Sequence, residues 1–283
     1  MKIIKTKIEL SEWVAQARKE GHAITLIPTM GALHEGHLSL IHIGQKTGGK
    51  TVCSIFVNPT QFNDPEDLKK YPRPLEKDIG LLEEAGCDLL FLPEVAEMYP
   101  EDEAAWAINL GALDEVWEGA KRPGHYQGVT QIVYKLFEAV KPDYSVFGQK
   151  DLQQYLVIEE LIRQKELPIE LIMAPTVREP EGLAMSSRNV RLSPAGRKQA
   201  LVLSQVLFHS ETLLSAGHDL DQVRALALSQ LEAAPGVRLE YFAICERSTL
   251  SEATEETPRD QLVILVAAWV EGVRLIDNVV LKK

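Results

Sequence analysis

Short apolar runs alternate with helical segments over the first 176 residues, and this alternation limits the possible folds more than any other feature of the chain. The runs that predict strands cover residues 23–29, 51–57, 87–93, 143–148 and 169–177. Segments with helical spacing cover residues 36–43, 75–86, 128–140 and 152–164. The strand runs are mostly apolar and do not alternate with charged residues, which indicates strands buried on both faces. We therefore predict an α/β fold with a Rossmann-like parallel sheet, in which ligands bind at the carboxyl ends of the strands.

The pattern changes after residue 176. Two long helical stretches come first, and three strand-like runs follow; the five segments cover residues 194–216, 219–233, 238–245, 261–270 and 273–281. The last two runs are joined by a tight turn at "EGVR", as in an antiparallel pair. Helices followed by an antiparallel sheet predict a smaller C-terminal α+β domain. We place the two domains at residues 1–176 and 177–283.

The charge of the chain disfavours several classes of protein. It has 30 Lys and Arg against 41 Asp and Glu, a net charge of −11 over 283 residues. A general nucleic-acid or anionic-membrane binder needs a positive surface, although converging basic groups can still hold a phosphate. The longest apolar run, residues 262–270, is too short to span a bilayer. Cys53, Cys87 and Cys245 are far apart in apolar surroundings, which predicts reduced, buried thiols in a cytoplasmic protein.

The segment "GQKTGGKT", Gly44 to Thr51, fits the P-loop pattern letter for letter but has the wrong context. In a P-loop a strand leads into the glycine-rich turn and a helix follows, so that backbone N–H groups and the helix dipole bind phosphate. Here a predicted helix comes before the glycines, and the β-branched run "VCSIFV" comes after them. We interpret the segment as a helix-to-strand turn made possible by Gly48 and Gly49.

The segment "TMGALHEGH", residues 29–37, has the context that the P-loop match lacks. It follows a buried strand, contains two glycines and opens a helix, so backbone N–H groups can approach a phosphate there. His34 and His37 can then face the same space. Spacing alone leaves two alternatives open. One is a zinc site, although helical zinc pairs are four residues apart and need a further ligand. The other is a pair of core histidines, the role we expect for His42.

Two further segments carry groups that suit a polyphosphate. "FGQKDLQQ", residues 147–154, places Lys150 and Asp151 where a predicted strand ends and a helix begins. "AMSSRN", residues 184–189, offers two hydroxyl groups and the guanidinium of Arg188 for charge-assisted hydrogen bonds. Alone, each segment has a plainer interpretation: a solvated lysine at a strand end, and a linker between domains.

Together these segments resemble the pantothenate synthetase family, the ATP-dependent ligases that join pantoate to β-alanine. The resemblance runs from about residue 23 to the C-terminus, and it is carried by "PTMGALHEGH", "FVNPTQF", "YPRPLEKD", "RPGHYQGV", "PDYSVFGQKD", "GLAMSSRN" and "GVRLIDN". "HEGH" is also similar to the HIGH motif of nucleotidylyltransferases and class I aminoacyl-tRNA synthetases, and "MSSRN" stands in the place of their KMSKS loop. Gln149 departs from the family pattern, which commonly has an acidic residue there, and "NVRLS" lacks the usual aromatic.

The resemblance implies two half-reactions. The pantoate carboxylate attacks the α-phosphate of ATP to give pantoyl adenylate and pyrophosphate, and the amine of β-alanine then releases AMP and pantothenate. It also implies Mg²⁺ bound with ATP, no tightly bound organic cofactor and a homodimer. The acidic balance adds that no nucleic-acid or membrane partner is expected. We assign no Mg²⁺ ligand, because Asp64 and Asp78 could equally be surface charges.

The resemblance assigns roles residue by residue. His37 is the proton donor, His34 is its phosphate-binding neighbour, and Lys150 neutralises charge at the phosphates. Gln61 contacts both pantoate and β-alanine, whereas Gln154 contacts pantoate. The C-terminal domain is expected to act as a lid. The ATP-binding residues are Met30, Gly31, Ala32, Leu33, His34, Glu35, Gly36, His37, Gly148, Gln149, Lys150, Asp151, Val177, Met185, Ser186, Ser187 and Arg188.

Rival functions explain less of the sequence. A tRNA-linked or RNA-binding synthetase would need a basic appendage, which the net charge of −11 and the short C-terminal domain disfavour. A cytidylyltransferase would have no need for a pocket around "NPTQF", in which Asn58 could support Gln61. A purely structural protein would leave three phosphate-suited segments at strand ends unexplained. The sequence therefore predicts an ATP-dependent, amide-forming ligase.

Overall fold

The computed structural model describes residues 1–63, 65–101 and 104–282, without the side chain of residue 67, and it confirms the α/β fold class. The parallel strands of the main sheet are β1 Lys2–Ile4, β2 Ile24–Thr29, β3 Lys50–Ile55, β4 Leu89–Phe91, β5 Tyr144–Gly148 and β6 Glu170–Ala174. Their order is β1-β4-β3-β2-β5-β6. The strand order therefore reverses at β2, with β3 on one side and β5 on the other, and α/β sheets bind ligands at such a reversal.

Burial explains the two central strands. β2 is buried from Ile24 to Ile27, and β3 is buried from Thr51 to Ile55, so both faces of each strand are covered. The two strands pair in parallel register from Ile24 opposite Lys50 to Thr29 opposite Ile55. β1 was not predicted, because a strand of three residues that includes Lys2 is too short to show a strand pattern.

The larger part of the chain supplies eight of the described helices. Their bounds are α1 Lys7–Lys19, α2 Glu35–Gln45, α3 Pro65–Lys70, α4 Leu75–Glu84, α5 Val95–Met98, α6 Trp117–Lys121, α7 His125–Val140 and α8 Leu152–Gln164. α2 buries Leu38, Ile41 and Gly44, which recur every three residues on one face. His42 lies on the exposed side of this helix, so the prediction that it is a core residue was wrong.

The structure confirms the helix-to-strand context of "GQKTGGKT". The segment starts inside α2 and ends in β3, whose first residue is Lys50. Gly48 has a φ of 79°. A Cβ on Gly49 would lie 2.3 Å from the Ala23 carbonyl oxygen, so only glycine fits there. Lys50 Nζ lies 2.9 Å from Asp88 Oδ1, in an ion pair within the fold.

Contacts within the chain divide it into two compact units. The larger unit contains residues 1–148 and 154–175. The smaller unit contains residues 149–153 and the chain from Thr176 onward. The short segment 149–153 therefore makes its contacts mainly with the C-terminal part of the chain, although it directly follows β5.

The smaller unit has the predicted α+β composition. Its elements are α9 Pro194–Ser215, α10 Leu220–Glu232, β7 Val237–Glu246, β8 Leu262–Val270 and β9 Val273–Val280. The strands form an antiparallel sheet in the order β7-β8-β9. Glu271 and Gly272 make the tight turn between β8 and β9, with φ values of 49° and 74°. Leu207, Leu231 and Ile264 lie in a core cluster that belongs to this unit alone.

The cysteines agree with the expectation of reduced, buried thiols. Cys53, Cys87 and Cys245 are free, buried thiols. Burial raises the pKa of the Cys53 thiol well above its ordinary value, so this thiol stays protonated at neutral pH. Within the described ranges, no helix has the length and apolar character needed to cross a membrane.

Candidate active site

The chain turns sharply where it leaves the central strand β2. Gly31 has a φ of 81° and Ala32 a φ of 53°, both in the left-handed region. Such a conformation is unfavourable for alanine and needs support from its surroundings. Part of the support comes from Thr29, whose Oγ1 accepts a hydrogen bond from the Gly31 N–H at 3.2 Å. The same hydroxyl donates to the Ser54 carbonyl oxygen at 2.7 Å, which ties the turn to β3.

Asp78, on α4, supplies the rest of the support. Its carboxylate accepts hydrogen bonds from the Ala32 and Leu33 N–H groups, both at 2.8 Å, and the residue is only 1% exposed. A Cβ on Gly31 would lie 3.0 Å from Asp78 Oδ2, so a larger residue would press on the carboxylate. Asp78 is therefore a buried residue. The alternative left open by the sequence, that Asp78 is a surface charge, was wrong. Asp64 lies outside the described residues.

His34 and His37 face each other at the start of α2, with ring centroids 4.1 Å apart. His34 caps the helix, because its Nδ1 accepts a hydrogen bond from the Gly36 N–H at 3.1 Å. The His34 N–H in turn donates to His37 Nδ1 at 3.3 Å. A ring nitrogen that accepts a hydrogen bond carries no proton, so each neutral ring carries its proton on Nε2. The pair therefore presents two N–H donors at a helix N-terminus, a combination that suits an oxyanion.

The predicted amide pocket follows β3. Asn58 is 1% exposed, and its Nδ2 donates to Gln61 Oε1 at 3.1 Å and to the Gly128 carbonyl oxygen at 3.0 Å. His125 Nδ1 lies 2.8 Å from the Gln61 carbonyl oxygen, so both the side chain and the backbone of Gln61 are held. Gln61 Nε2 lies 3.0 Å from Met30 Sδ. The amide pocket therefore adjoins the turn that follows β2.

Two other predicted residues of the larger unit lie at or after β5. Gly148 is the last residue of β5, and Gln154 lies in the first turn of α8, where it is half-buried. β5 is parallel to β2 and adjacent to it, so its carboxyl end lies at the same edge of the sheet as Met30. The larger unit thus holds Met30 to His37, Gln61, Gly148 and Gln154 of the predicted site.

In the smaller unit, Gln149, Lys150 and Asp151 form a 3₁₀ turn that is bonded to β9. Asn278 Nδ2 donates to the carbonyl oxygens of Gln149 and Lys150, both at 2.9 Å. Asn278 Oδ1 also accepts a hydrogen bond from Gln149 Nε2 at 3.2 Å. Asp151 is exposed, whereas Gln149 and Lys150 are half-buried.

The remaining predicted residues lie on a second segment of the smaller unit. The Met185 N–H donates to the Val177 carbonyl oxygen at 3.0 Å, so these two residues are neighbours. Ser186 Oγ accepts a hydrogen bond from the Arg188 N–H at 3.2 Å and caps the short 3₁₀ turn Ser187–Arg191. The segment is therefore an ordered hairpin rather than an open linker.

A buried ion pair fixes the base of this hairpin. Arg178 Nη1 and Nη2 donate to Asp277 Oδ2 at 2.6 Å and Oδ1 at 3.0 Å. Arg178 Nη1 also donates to the Gly182 carbonyl oxygen at 3.1 Å. Because Asp277 is 5% exposed, the bidentate pair is largely shielded from solvent screening.

Sequence reasoning gave no role to three residues that hold the site in place, namely Asp78, His125 and Asn278. Their only signal was membership of the motifs "YPRPLEKD", "RPGHYQGV" and "GVRLIDN". In the part of the chain that the structure describes, no three His, Cys, Asp or Glu side chains converge as a metal site. The histidine turn offers hydrogen-bond donors that suit an anion, and Asn58 and Gln61 form an uncharged amide pocket.

Known proteins share both the sequence and the fold. The sequence model of the family described as pantoate-beta-alanine ligase matches residues 2–280. A pantothenate synthetase of Bacteroides thetaiotaomicron is 46% identical over 283 residues, which is 100% of both chains. One from Moorella thermoacetica is 45% identical over 283 residues, covering 100% of this chain and 99% of that protein.

Solved structures give the same result. The crystal structure of pantothenate synthetase from Thermus thermophilus matches with a TM-score of 0.93 at 41% identity, covering 100% of both chains. A pantoate-beta-alanine ligase from Francisella tularensis, crystallised with β,γ ATP and β-alanine, matches with a TM-score of 0.79 at 30% identity. That match covers 99% of this chain and 97% of the other.

Proposed function

The chain belongs to the pantoate–β-alanine ligase family, and we propose that it works through a pantoyl-adenylate intermediate. It is an amide-forming ligase that condenses pantoate with β-alanine at the expense of ATP, giving pantothenate, AMP and pyrophosphate. In the first half-reaction, a carboxylate oxygen of pantoate attacks the α-phosphorus and pyrophosphate leaves. In the second, the β-alanine amine attacks the acyl carbon, the amine loses a proton, and AMP leaves with the electron pair of the broken acyl–oxygen bond.

One observation in the larger unit supports this mechanism most directly. The turn that carries His34 and His37 adjoins the amide pocket, because Gln61 Nε2 lies 3.0 Å from Met30 Sδ. A phosphate bound at the start of α2 and an organic acid bound at the Gln61 amide would be neighbours. Attack of a carboxylate on phosphorus requires this proximity and orientation.

The turn from Met30 to His37 is the proposed ATP cradle of the larger unit. His37 and His34 donate hydrogen bonds from Nε2 to phosphate oxygens, and His37 is the proton donor. The N-terminus of α2 adds the positive end of its helix dipole. Donors fixed in advance stabilise the charge that develops in the transition state without a cost of reorganisation. The hydrogen bonds from Ala32 and Leu33 to Asp78 provide that fixed geometry.

The smaller unit contributes the cationic groups. Lys150 neutralises charge at the phosphates, with Gln149 and Asp151 of the same unit and Gly148 of the larger unit as further nucleotide contacts. Val177 contacts the adenine through its backbone. Met185, Ser186, Ser187 and Arg188 bind the triphosphate, for which hydroxyl and guanidinium donors are suited. Mg²⁺ would arrive with ATP and would help to neutralise the charge of its phosphates, and no residue of this chain is assigned as its ligand. The Francisella tularensis complex with β,γ ATP and β-alanine supports ATP and β-alanine as ligands of this chain as well.

Two amides bind the organic substrates in this proposal. Gln61 contacts pantoate and β-alanine, and Gln154 contacts pantoate. A carboxamide both donates and accepts hydrogen bonds, so it can orient the hydroxyls and the carboxylate of pantoate. Because it is uncharged, it leaves the carboxylate nucleophilic instead of neutralising it in an ion pair. Asn58 supports this arrangement through its 3.1 Å hydrogen bond to Gln61 Oε1.

We further propose that the smaller unit acts as a lid during adenylation, since it carries the hairpin with Ser186 to Arg188. A homodimer and a cytoplasmic location stay predictions. Sedimentation equilibrium of the purified protein tests the first, and cell fractionation tests the second.

Omission of one substrate at a time tests the mechanism. Exchange of labelled pyrophosphate into ATP should need pantoate but not β-alanine, because it reports adenylation alone. Release of AMP at the full rate should need β-alanine as well. If pyrophosphate exchange required β-alanine, or another short hydroxy acid replaced pantoate with equal turnover, the proposed mechanism would be wrong.

A further inference from the structure

Asn278 contacts the Lys150 segment, Gln149 to Asp151, through its side-chain carboxamide. It lies in β9 and is 3% exposed. Its Nδ2 atom donates to the carbonyl oxygens of both Gln149 and Lys150 at 2.9 Å, and its Oδ1 accepts from Gln149 Nε2 at 3.2 Å. One carboxamide therefore makes three hydrogen bonds to two consecutive residues.

These hydrogen bonds matter because the segment has little structure of its own. Gln149 to Asp151 form a single 3₁₀ turn between β5 and α8, and such short turns have poor internal hydrogen-bond geometry. The Lys150 carbonyl belongs to the residue that carries the proposed phosphate-neutralising ammonium. Fixing this carbonyl fixes the Cα from which the long lysine side chain extends, and so it limits the positions that the ammonium can take.

The neighbouring residue, Asp277, holds the other nucleotide segment of the same unit. Its bidentate pair with Arg178, at 2.6 and 3.0 Å, secures the hairpin that leads to Ser186 and Arg188. Asp277 Oδ1 also accepts a hydrogen bond from the Asn278 N–H at 2.8 Å. Two consecutive residues of β9 thus hold the two segments of the smaller unit to which ATP contacts are assigned.

We propose that Asn278 is a positioning residue for Lys150 and that it sets the placement of the lysine ammonium at the phosphates of ATP. This inference rests on the proposed role of Lys150. Asn278 contacts no substrate in this proposal, and its effect on the reaction passes through the backbone of the Gln149–Asp151 turn. A displacement of about 1 Å at a catalytic group can cost about 100-fold in rate.

A double-variant cycle tests the inference, with kcat/KM for ATP as the measured quantity. Lys150→Ala should lower it by about 100- to 1000-fold, as expected for loss of a group that stabilises developing charge. Asn278→Ala should lower it by about 10- to 100-fold in the parent protein. In the Lys150→Ala background, Asn278→Ala should cost less than about threefold, because the group it positions is already missing.

Two further variants separate positioning from folding. Asn278→Leu keeps the approximate shape of the side chain and loses both Nδ2 donors without burying a charge, so it should show the same loss and carries the test if Asn278→Ala does not fold. Arg274→Gln is the matched control, because Arg274 lies in the same strand and its Nε donates to Glu240 Oε2 at 2.8 Å. We expect it to keep kcat/KM for ATP within about twofold of the parent. Thermal melting of every variant reports its folding.

The outcomes are distinct. Equal losses from Asn278→Ala in both backgrounds, or no loss in the parent, would overturn the positioning role. A Lys150→Ala variant with parent activity would instead show that the proposed function of Lys150 is wrong, and the inference would fall with it. Loss of activity in Arg274→Gln equal to that in the Asn278 variants would show a general effect on the smaller unit and would also overturn the inference.

Discussion

At the residue scale, the site depends on buried polar side chains that hold the backbone. Asp78, Asn58 and Asn278 are 1%, 1% and 3% exposed. Asp78 and Asn278 hydrogen-bond main-chain groups of segments with predicted substrate contacts, and Asn58 donates to the Gln61 side chain and to the Gly128 carbonyl oxygen. A buried donor or acceptor that loses its partner costs about 1–3 kcal/mol, so each of these bonds resists displacement. His34, His37 and Lys150 can therefore stay half-buried and accessible while the backbone near them is held.

The two lysines of the rival phosphate motifs give the first prediction. Lys50→Ala should leave turnover within about twofold of the parent, because Lys50, the first residue of β3, is paired with Asp88 at 2.9 Å within the fold. It should lower the free energy of unfolding by about 1 kcal/mol, the usual worth of such a pair. Lys150→Ala should keep its stability and lose activity. Steady-state kinetics and urea unfolding of both variants check these expectations. An inactive Lys50→Ala variant together with an active Lys150→Ala variant would show that Lys50, and not Lys150, serves the phosphates.

The same ion pair predicts a dependence of stability on pH. Burial alone would raise the pKa of Asp88, but hydrogen bonds from Lys50 and Thr51 outweigh burial and lower the pKa below its ordinary value of 3.8. A carboxyl with a lowered pKa adds stability above its unfolded pKa, and that stability is lost as the pH falls through its folded pKa. Asp88→Asn should therefore destabilise the protein at pH 7, and the difference from the parent should shrink in acid below about pH 4. Urea unfolding at several pH values measures this, and a difference that grows in acid would contradict it.

The third prediction concerns Asp78. In Asp78→Asn, an NH₂ group replaces one of the two carboxylate oxygens and faces the N–H of Ala32 or Leu33. One backbone N–H of the left-handed turn therefore loses its hydrogen-bond acceptor. We expect a loss of about 1–3 kcal/mol in unfolding free energy and a rise of about tenfold or more in KM for ATP, because His34 and His37 follow the turn. Asp88→Asn is the control, since Asp88 also accepts a backbone hydrogen bond, from the Thr51 N–H at 2.9 Å. A rise in KM for ATP in both variants would assign the effect to stability alone.

At the element scale, the sequence predicted what depends on local patterns and missed what depends on distant contacts. The continuous apolar runs located β2 to β6 to within about two residues at most ends, and the tight turn between β8 and β9 was confirmed. The start of α7 was missed by three residues, because "HYQ" is polar in sequence but helical in the structure. The Asp78 bonds join residues 45 and 46 positions apart, and those of Asn278 span 128 and 129, so no local pattern could show them.

The contact between α7 and the Pro59–Gln61 turn gives the fourth prediction. A Cβ on Gly128 would lie 2.4 Å from the Thr60 carbonyl oxygen and 2.8 Å from the Gln61 nitrogen. Gly128→Ala should therefore push this turn away, cost about 1–3 kcal/mol in stability and raise KM for pantoate. Gly80→Ala on α4 is the matched control, because nothing lies within 4 Å of its Cβ position. Gly80→Ala should leave the KM for pantoate unchanged, and it should raise the free energy of unfolding by up to about 1 kcal/mol, because alanine has a higher helix propensity than glycine. If the KM for pantoate of the Gly128→Ala variant equalled that of the parent protein, the Pro59–Gln61 turn would not be part of the pantoate site.

At the scale of the whole molecule, the predicted ATP contacts are divided between two compact units. The histidine turn and the Gln61 pocket belong to the larger unit, and Lys150 and the Ser186–Arg188 segment belong to the smaller one. Catalysis by charge stabilisation needs its donors at one substrate, so a division of this kind makes the reaction depend on the two units acting together. The hydrogen bonds of Asn278 and Arg178 give the smaller unit an internal rigidity, so its two nucleotide segments can respond to ATP as one body.

The lid is therefore the last prediction. Binding of a non-hydrolysable ATP analogue should slow amide hydrogen exchange over residues 182–190, where Gly182, with a φ of 106°, can absorb a backbone change. Arg188→Ala should slow adenylation and, without β-alanine, should release more free pantoate and AMP, because water reaches the acyl adenylate. Exchange is read by mass spectrometry, with residues 219–233 on α10 as an internal reference. Exchange over 182–190 that is the same with and without the analogue would leave this hairpin a static part of the smaller unit.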